Sequence, residues 1–98
     1  MYTYTTPTIT CTLEGVDFSL VNYVRIAIGE GKKVIVRTVE PSDFSENTAT
    51  IKLTQEETAE LGGGMVTIQA RVLYLDGTVQ ATNSVQKPMS EVIDKVVI

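Results

Sequence analysis

Alternating apolar and polar residues dominate this chain and predict β-strands along most of its length. Successive side chains of a strand point to opposite faces, so strict alternation indicates a strand with one buried face. The clearest runs cover residues 66–74 and 8–13. Five further strands are predicted at residues 21–28, 33–39, 49–53, 78–85 and 92–98.

Turn motifs separate these strands. Gly29-Glu30-Gly31-Lys32 predicts a tight hairpin turn, because glycine adopts a positive φ without strain. Asp76-Gly77 predicts a second hairpin between two strands. Lys87-Pro88 is expected to end the strand at 78–85, since proline has no N–H to donate to a sheet.

One segment breaks the alternation and predicts a short helix near residues 54–61. Thr54 and Glu57 have the spacing of a capping box, in which each side chain accepts the backbone N–H of the other residue. The glycines at 62–64 are expected to stop this helix after one or two turns. A helix so short depends on packing, so we predict a connector that lies on the sheet.

Seven short strands with regularly spaced turn signals predict an all-β fold. We expect an immunoglobulin-like sandwich of two antiparallel sheets, with a small barrel as the alternative. No segment has the long helical period that a parallel sheet requires. The length of 98 residues suits one domain spanning residues 1–98, with residues 1–7 as a candidate N-terminal arm.

The composition removes most catalytic chemistry. Thr, Val and Ile make up 35 of the 98 residues, whereas His is absent and Cys11 is the single cysteine. The usual neutral-pH general base is therefore missing, and a disulfide or thiolate zinc site cannot form within the chain. We predict no enzyme activity, catalytic residue, cofactor, metal site or small-molecule substrate, and Cys11 is expected to be a buried thiol.

The charge pattern argues against nucleic acid as a partner, and the lack of a long apolar run argues against a membrane. The net charge is −4, and no basic cluster exceeds Lys32-Lys33, whereas a nucleic-acid binder needs a basic stripe. The first residues lack the basic and apolar regions of a signal peptide, and no apolar run approaches the length of a membrane span.

A few aromatic and apolar residues outside the predicted core pattern are candidates for contacts with other proteins. The arm either frays or adds to the sheet edge of a neighbouring molecule. Apolar side chains on both faces of a strand indicate either a twisted strand or a second buried surface, such as a subunit interface. The candidate interface residues are Tyr2, Tyr4, Leu73, Leu75, Ile93 and Val97.

Residues 48–86 contain a pattern similar to that of a known group of proteins. The residues that carry it are Leu53-Thr-Gln-Glu-Glu-Thr58, Leu61, Gly64-Met-Val66, Ile68-Gln69, Arg71, Asp76-Gly77 and Thr82. This pattern resembles small tail or baseplate-associated structural proteins encoded by phages and prophages of Gram-positive gut bacteria. It resembles more loosely the immunoglobulin-like N-terminal domain of phage baseplate upper proteins. Residues 1–47 match only in strand layout.

The resemblance implies a non-enzymatic virion component, synthesised in the host bacterial cytoplasm, that acts through protein–protein contacts. The expected location is the tail, the baseplate or the head–tail connector, and the expected partners are other virion proteins and copies of the chain itself. The alternative is a carbohydrate-binding sandwich used in host adhesion. That alternative needs an exposed aromatic platform that includes Tyr23 or Tyr74, on which sugar rings would stack.

Overall fold

The computed structural model of the protein describes residues 1–45, 47–82 and 84–98. Over these residues the chain forms seven strands in two antiparallel sheets, which confirms the predicted all-β sandwich. One α-helix, α1, covers Gln55–Leu61. Two 3-10 turns lie at Phe18–Leu20 and Pro41–Asp43. The strands are β1 Thr8–Thr12, β2 Val21–Glu30, β3 Lys33–Val39, β4 Thr48–Lys52, β5 Gly64–Tyr74, β6 Val79–Ala81 and β7 Val85–Met89.

The larger sheet is built around β5. Strand β2 pairs with one edge of β5 and carries β3 beyond it, while β6 and β7 follow each other along the other edge. Ala81 pairs with Arg71 and Val85 pairs with Ile68, so four residues of one strand match three of the other and the register shifts by one. We call this interrupted strand the edge strand β6–β7.

Thr82 bridges the interruption in the edge strand. Its N–H donates to the Ala70 carbonyl at 2.9 Å, and its hydroxyl accepts the Ala70 N–H at 3.1 Å. A side-chain oxygen therefore takes the place of a backbone acceptor, which keeps the N–H of β5 satisfied where the ladder is out of register.

The smaller sheet consists of β1 and β4, paired from Thr8↔Lys52 to Thr12↔Thr48. Its inner face packs on the larger sheet, and the alternating apolar residues of both sheets meet in one core. The fully buried aliphatic residues of this core include Leu13, Val24, Ile26, Ile28, Leu53, Val66 and Val72.

Helix α1 begins and ends as the sequence predicts. The Glu57 N–H donates to Thr54 Oγ1 at 3.2 Å, and the Thr54 N–H donates to Glu57 Oε1 at 2.9 Å, which completes the capping box. Gly62, with φ of 68°, follows the last turn. Buried Thr58 ties the helix to the arm, since its hydroxyl accepts the Thr5 N–H at 3.1 Å and donates to the Thr5 carbonyl at 3.0 Å.

The arm packs against its own chain. The Thr3 N–H donates to the Ser90 carbonyl at 2.9 Å, and the Ser90 N–H donates to the Met1 carbonyl at 2.7 Å. Tyr2 and Ser90 form a parallel bridge, and the Thr3 side chain is buried. The arm thus lies beside the end of β7 and Ser90 of the same molecule, instead of fraying or adding to the sheet of a neighbour.

The prediction of a final strand at residues 92–98 is wrong. None of residues 91–98 lies in a strand, and the seventh strand is β7, Val85–Met89. The strand predicted at 78–85 is reduced to β6, with Asn83 outside the described residues. Strand β7 occupies the edge of β5 along Gly64–Ile68, so the 92–98 run does not pair there. Pro88 does not stop β7, since proline is tolerated in the outermost strand of a sheet.

Candidate interaction surfaces

A groove of about 860 Å³ opens where the smaller sheet leaves part of the larger sheet uncovered. Ile68, Ala70 and Val72 of β5 form its floor. Strand β1 and the edge strand β6–β7 form its two sides. We call this feature the open groove. Its floor is the inner face of the sandwich, where Ile68, Ala70 and Val72 are buried, and Val85 of the edge strand, which pairs with Ile68, is an exposed apolar side chain of the groove.

Among the residues that the structure describes, β1 pairs with β4 alone, so the side of the groove formed by β1 is a free strand edge. The Leu53 N–H donates to the Pro7 carbonyl at 3.0 Å, which sets the ladder so that odd-numbered residues of β1 bond to β4. The even-numbered residues, Thr8, Thr10 and Thr12, therefore direct their backbone N–H and C=O groups away from β4 and toward the open groove. Such an edge is a template for a further strand.

Cys11 lies on the groove side of β1 and is partly buried, less than the sequence prediction of a buried thiol. Burial raises the pKa of the Cys11 thiol. The thiol therefore stays protonated at neutral pH, and in that form it is a small apolar surface with little nucleophilic character.

Residues 91–98, which we call the terminal segment, carry exposed apolar side chains. Ile93 is fully exposed, and Val96, Val97 and Ile98 are also exposed. The Ile98 N–H donates to Gln55 Oε1 at 2.8 Å, and Gln55 Nε2 donates to the Ile98 carbonyl at 2.5 Å. These bonds lie at the surface, whereas the bond from the Val92 N–H to Thr3 Oγ1 at the start of the segment is partly buried.

The structure places the six predicted contact residues in two regions at opposite ends of β5. Tyr2 and Tyr4 of the arm lie near the terminal segment with Ile93 and Val97, since Thr3 Oγ1 accepts the Val92 N–H at 3.1 Å. That region adjoins the start of β5, where Gly64 pairs with Met89. Leu73 and Leu75 lie at the other end, about 30 Å away along the strand. Tyr2 and Leu75 are exposed, while Tyr4 and Leu73 are partly buried.

An arginine pair on the outer face of the larger sheet was not predicted from the sequence. Arg25 of β2 and Arg71 of β5 lie directly opposite each other, and both are exposed. Within residues 1–45, 47–82 and 84–98, neither side chain has a salt bridge or hydrogen bond. They line a shallow depression of about 130 Å³ together with Tyr23, Leu73 and Val79. The sequence places each arginine on the solvent face of a strand, but only the β2–β5 register brings them together.

The remaining arginine, Arg37, is neutralised within the chain. Its guanidinium donates to Glu57 Oε2 at 3.0 Å and also to Glu57 Oε1. Partial burial alone would raise the pKa of Glu57, but the hydrogen bonds from Arg37 and Thr54 outweigh it and hold the pKa below its usual value. The arginine pair differs because it faces no such carboxylate.

Tyr23 and Tyr74, either of which could belong to the predicted carbohydrate platform, lie on opposite faces of the larger sheet. Tyr74 packs partly against the core, and its hydroxyl donates to Gln80 Oε1 at 2.7 Å. Tyr23 lies on the outer face beside the arginine pair and is also partly buried. They do not form one flat platform, and carbohydrate binding stays an untested prediction.

No family model, curated protein or solved structure matches this chain. The part of the chain that the structure describes holds no group of three or more His, Cys, Asp or Glu side chains placed to bind a metal ion. Its helices are also too short to cross a membrane.

Proposed function

We propose that this protein is a non-enzymatic structural module that assembles through protein–protein contacts within a phage particle. The observation that carries the proposal is the open groove beside the unpaired edge of β1. The phage assignment rests on the sequence resemblance over residues 48–86, and it covers the tail, the baseplate and the head–tail connector. Other virion proteins and copies of the chain are the proposed partners.

The open groove suits an extended peptide segment. A strand laid beside β1 would pair with the outward backbone groups of Thr8, Thr10 and Thr12. Its inward side chains would then cover the apolar lining of the groove that is still exposed, such as the half-exposed Val85. Backbone hydrogen bonds provide affinity in this mode of recognition, and the alternate side chains provide specificity.

The occupant we propose is the terminal segment of a neighbouring copy. Five of residues 92–98 are Val or Ile, which favour strands, and seven extended residues reach about 23 Å, enough to follow all of β1. Glu14 and Lys87 line the open groove, and residues 92–98 carry one charge of each sign, Asp94 and Lys95. In such a strand, Ile93, Lys95 and Val97 lie on the same face, and Ile93 and Val97 are two of the predicted contact residues.

Release of the terminal segment breaks the hydrogen bonds of Ile98 to Gln55 and of Val92 to Thr3, and each such bond contributes about 0.5–1.5 kcal/mol. The ion pair between Glu91 and Lys95 lies within the segment and can persist after release. Transfer of Ile93 from full exposure into an apolar groove removes its surface from water, which is favourable by about 1.5–3 kcal/mol and offsets the loss of these bonds at least in part.

A pair of proline variants tests this mode of assembly. Thr10→Pro removes an N–H that faces the open groove, whereas Thr50→Pro removes an N–H that faces away from β1 on the opposite edge of the same sheet. Both variants keep the bonds between β1 and β4 and both lose the hydroxyl contact of 3.3 Å between Thr10 and Thr50. Light scattering after size-exclusion chromatography, over a range of concentrations, is expected to show association for the wild type and Thr50→Pro and a monomer for Thr10→Pro.

Two results contradict the proposed assembly. One is a wild-type protein that remains monomeric at every concentration and captures no virion protein on co-expression. The other is a folded Thr10→Pro variant that associates as the wild type does. The phage assignment has its own test, the neighbouring genes: tail, baseplate, capsid or connector genes agree with it, and a neighbourhood without phage genes contradicts it.

A further inference from the structure

We infer that the arginine pair, Arg25 and Arg71, is a binding site for the carboxylate side chains of an acidic segment of a partner protein. The site lies on the outer face of the larger sheet, whereas the floor of the open groove is the inner face. A strand bound in the groove leaves this site free, so the two surfaces are independent.

The electrostatics of the pair favour an anionic ligand. Like charges directly opposite each other in an antiparallel pair destabilise a sheet, and no acid among the described residues compensates Arg25 or Arg71. A bound carboxylate would relieve the repulsion. The protein as a whole carries a net charge of −4, so this local positive charge is unusual on its surface.

The chemistry of the site favours a protein carboxylate over a nucleic-acid phosphate. Guanidinium groups bind carboxylates through two parallel hydrogen bonds, and arginine and tyrosine are enriched in protein interfaces. Tyr23, Leu73 and Val79 provide apolar contact for the methylene groups of a glutamate and for apolar neighbours in its chain. A volume of about 130 Å³ suits one side chain. A nucleic acid would need a continuous basic stripe, which this acidic chain lacks.

The test is a titration with a defined peptide. The probe is an acetylated and amidated peptide of three Val-Glu repeats, and its matched partner replaces each Glu with Gln. Binding is followed through the arginine side-chain Nε–H signals in nuclear magnetic resonance spectra at low salt. We expect the Glu peptide to shift the signals of Arg25 and Arg71 more than that of Arg37, and added salt to weaken the interaction.

Three variants locate the site. Arg25→Gln and Arg71→Gln are each expected to weaken binding about tenfold or more, because each loses charged hydrogen bonds to the ligand. Lys52→Gln removes one positive charge from the smaller sheet and is expected to leave the affinity unchanged. Thermal unfolding checks folding, and neither arginine variant is expected to melt below the wild type, since each relieves repulsion.

Several outcomes overturn the inference. Equal binding of the Glu and Gln peptides excludes carboxylate recognition, and equal affinity of Arg71→Gln and the wild type excludes this location. Absence of any binding by the Glu peptide also overturns it. Tighter binding of a short single-stranded RNA or of inorganic phosphate than of the Glu peptide assigns the pair to phosphate instead.

Discussion

The two flanks of β5 differ in how completely the chain satisfies its own groups. On the flank formed by β2, β3 and α1, which we call the closed flank, Arg37 meets Glu57 and the Thr58 hydroxyl meets the backbone of Thr5. On the other flank, the open flank, β1 and the edge strand β6–β7 border the open groove. The outward backbone groups of β1 and the side chain of Val85 remain uncovered there.

This difference indicates which residues determine the stability of the fold and which determine association. Buried residues of the closed flank are surrounded on all sides, so their loss leaves cavities or unpaired polar groups inside the protein. The groove-facing edge of β1 and the exposed side chains of the terminal segment contact little of their own chain, whereas inward residues of the open flank such as Ile9 and Met89 are buried in the core. Substitutions on the closed flank are therefore expected to change folding, and those at exposed positions of the open flank are expected to change association.

The largest expected effect separates two isoleucines. Ile26 of β2 is completely buried, whereas Ile93 of the terminal segment is fully exposed. Ile26→Ala is expected to lower the free energy of unfolding by about 2–5 kcal/mol, because it leaves a cavity in the core. Ile93→Ala is expected to change it by less than about 0.5 kcal/mol. Urea denaturation of monomeric protein measures both.

The two isoleucine variants can also contradict the distinction between the closed flank and the open flank. Ile93→Ala is expected to weaken self-association while the fold is unchanged. A loss of stability for Ile93→Ala as large as that for Ile26→Ala would mean that the terminal segment belongs to the core of its own molecule. The distinction between the two flanks would then be wrong.

A smaller effect is expected at the hydrogen bonds between α1 and the arm. Thr58→Val keeps the shape of the side chain but leaves the partly buried Thr5 N–H and C=O without their partner. This change is expected to cost about 1–3 kcal/mol. Thr12→Val, at an exposed position of β1, is the control and is expected to be nearly neutral. Equal unfolding midpoints for the two variants in urea would contradict a structural role for the Thr58 contacts.

Much of the fold could be predicted because its determinants are local. The alternation of Val66, Ile68 and Ala70 is a property of one strand, and the Thr54–Glu57 capping box is a property of one helical turn. Both depend on residues a few positions apart. The core faces and the hairpins at Gly31 and Gly77 followed from the same kind of information.

The last strand and the candidate surfaces could not be predicted, because they depend on which strands are neighbours. Val92 and Val96 have the composition of a strand, but β7 already pairs with the available edge of β5. The open groove exists because β1 pairs on one side alone among the described residues. The arginine pair exists because the register places Arg25 opposite Arg71. Sheet order and register are long-range properties that one strand's pattern does not contain.

A smaller effect on the closed flank depends on pH. The pKa of Glu57 is lowered in the folded protein, so its charge stabilises the fold above the pKa of the unfolded chain, near 4.3 for glutamate. This stabilisation is lost as the pH falls through the lowered, folded-state pKa. Glu57→Gln is expected to be less stable than the wild type by about 0.5–1 kcal/mol at pH 7 and equally stable well below pH 4. Glu60→Gln, on the exposed side of α1, is the control. A difference between Glu57→Gln and the wild type that stays constant from pH 7 to pH 3 would mean that the charge has no role.

The smallest expected effect is a gain in stability, and it concerns the arginine pair on the outer face of the larger sheet. Arg71→Glu replaces the repulsion with Arg25 by an attraction across the β2–β5 pair, so it is expected to raise the free energy of unfolding by about 0.2–1 kcal/mol. Lys52→Glu makes the same change of charge opposite Thr8, where no such gain is expected. Thermal and urea unfolding at low salt compare the two variants, and added salt is expected to reduce the gain. A loss of stability in Arg71→Glu would show that Arg71 stabilises the sheet through its packing. A gain would mean that the wild-type chain tolerates a repulsive pair, as expected for a surface that binds an anionic partner.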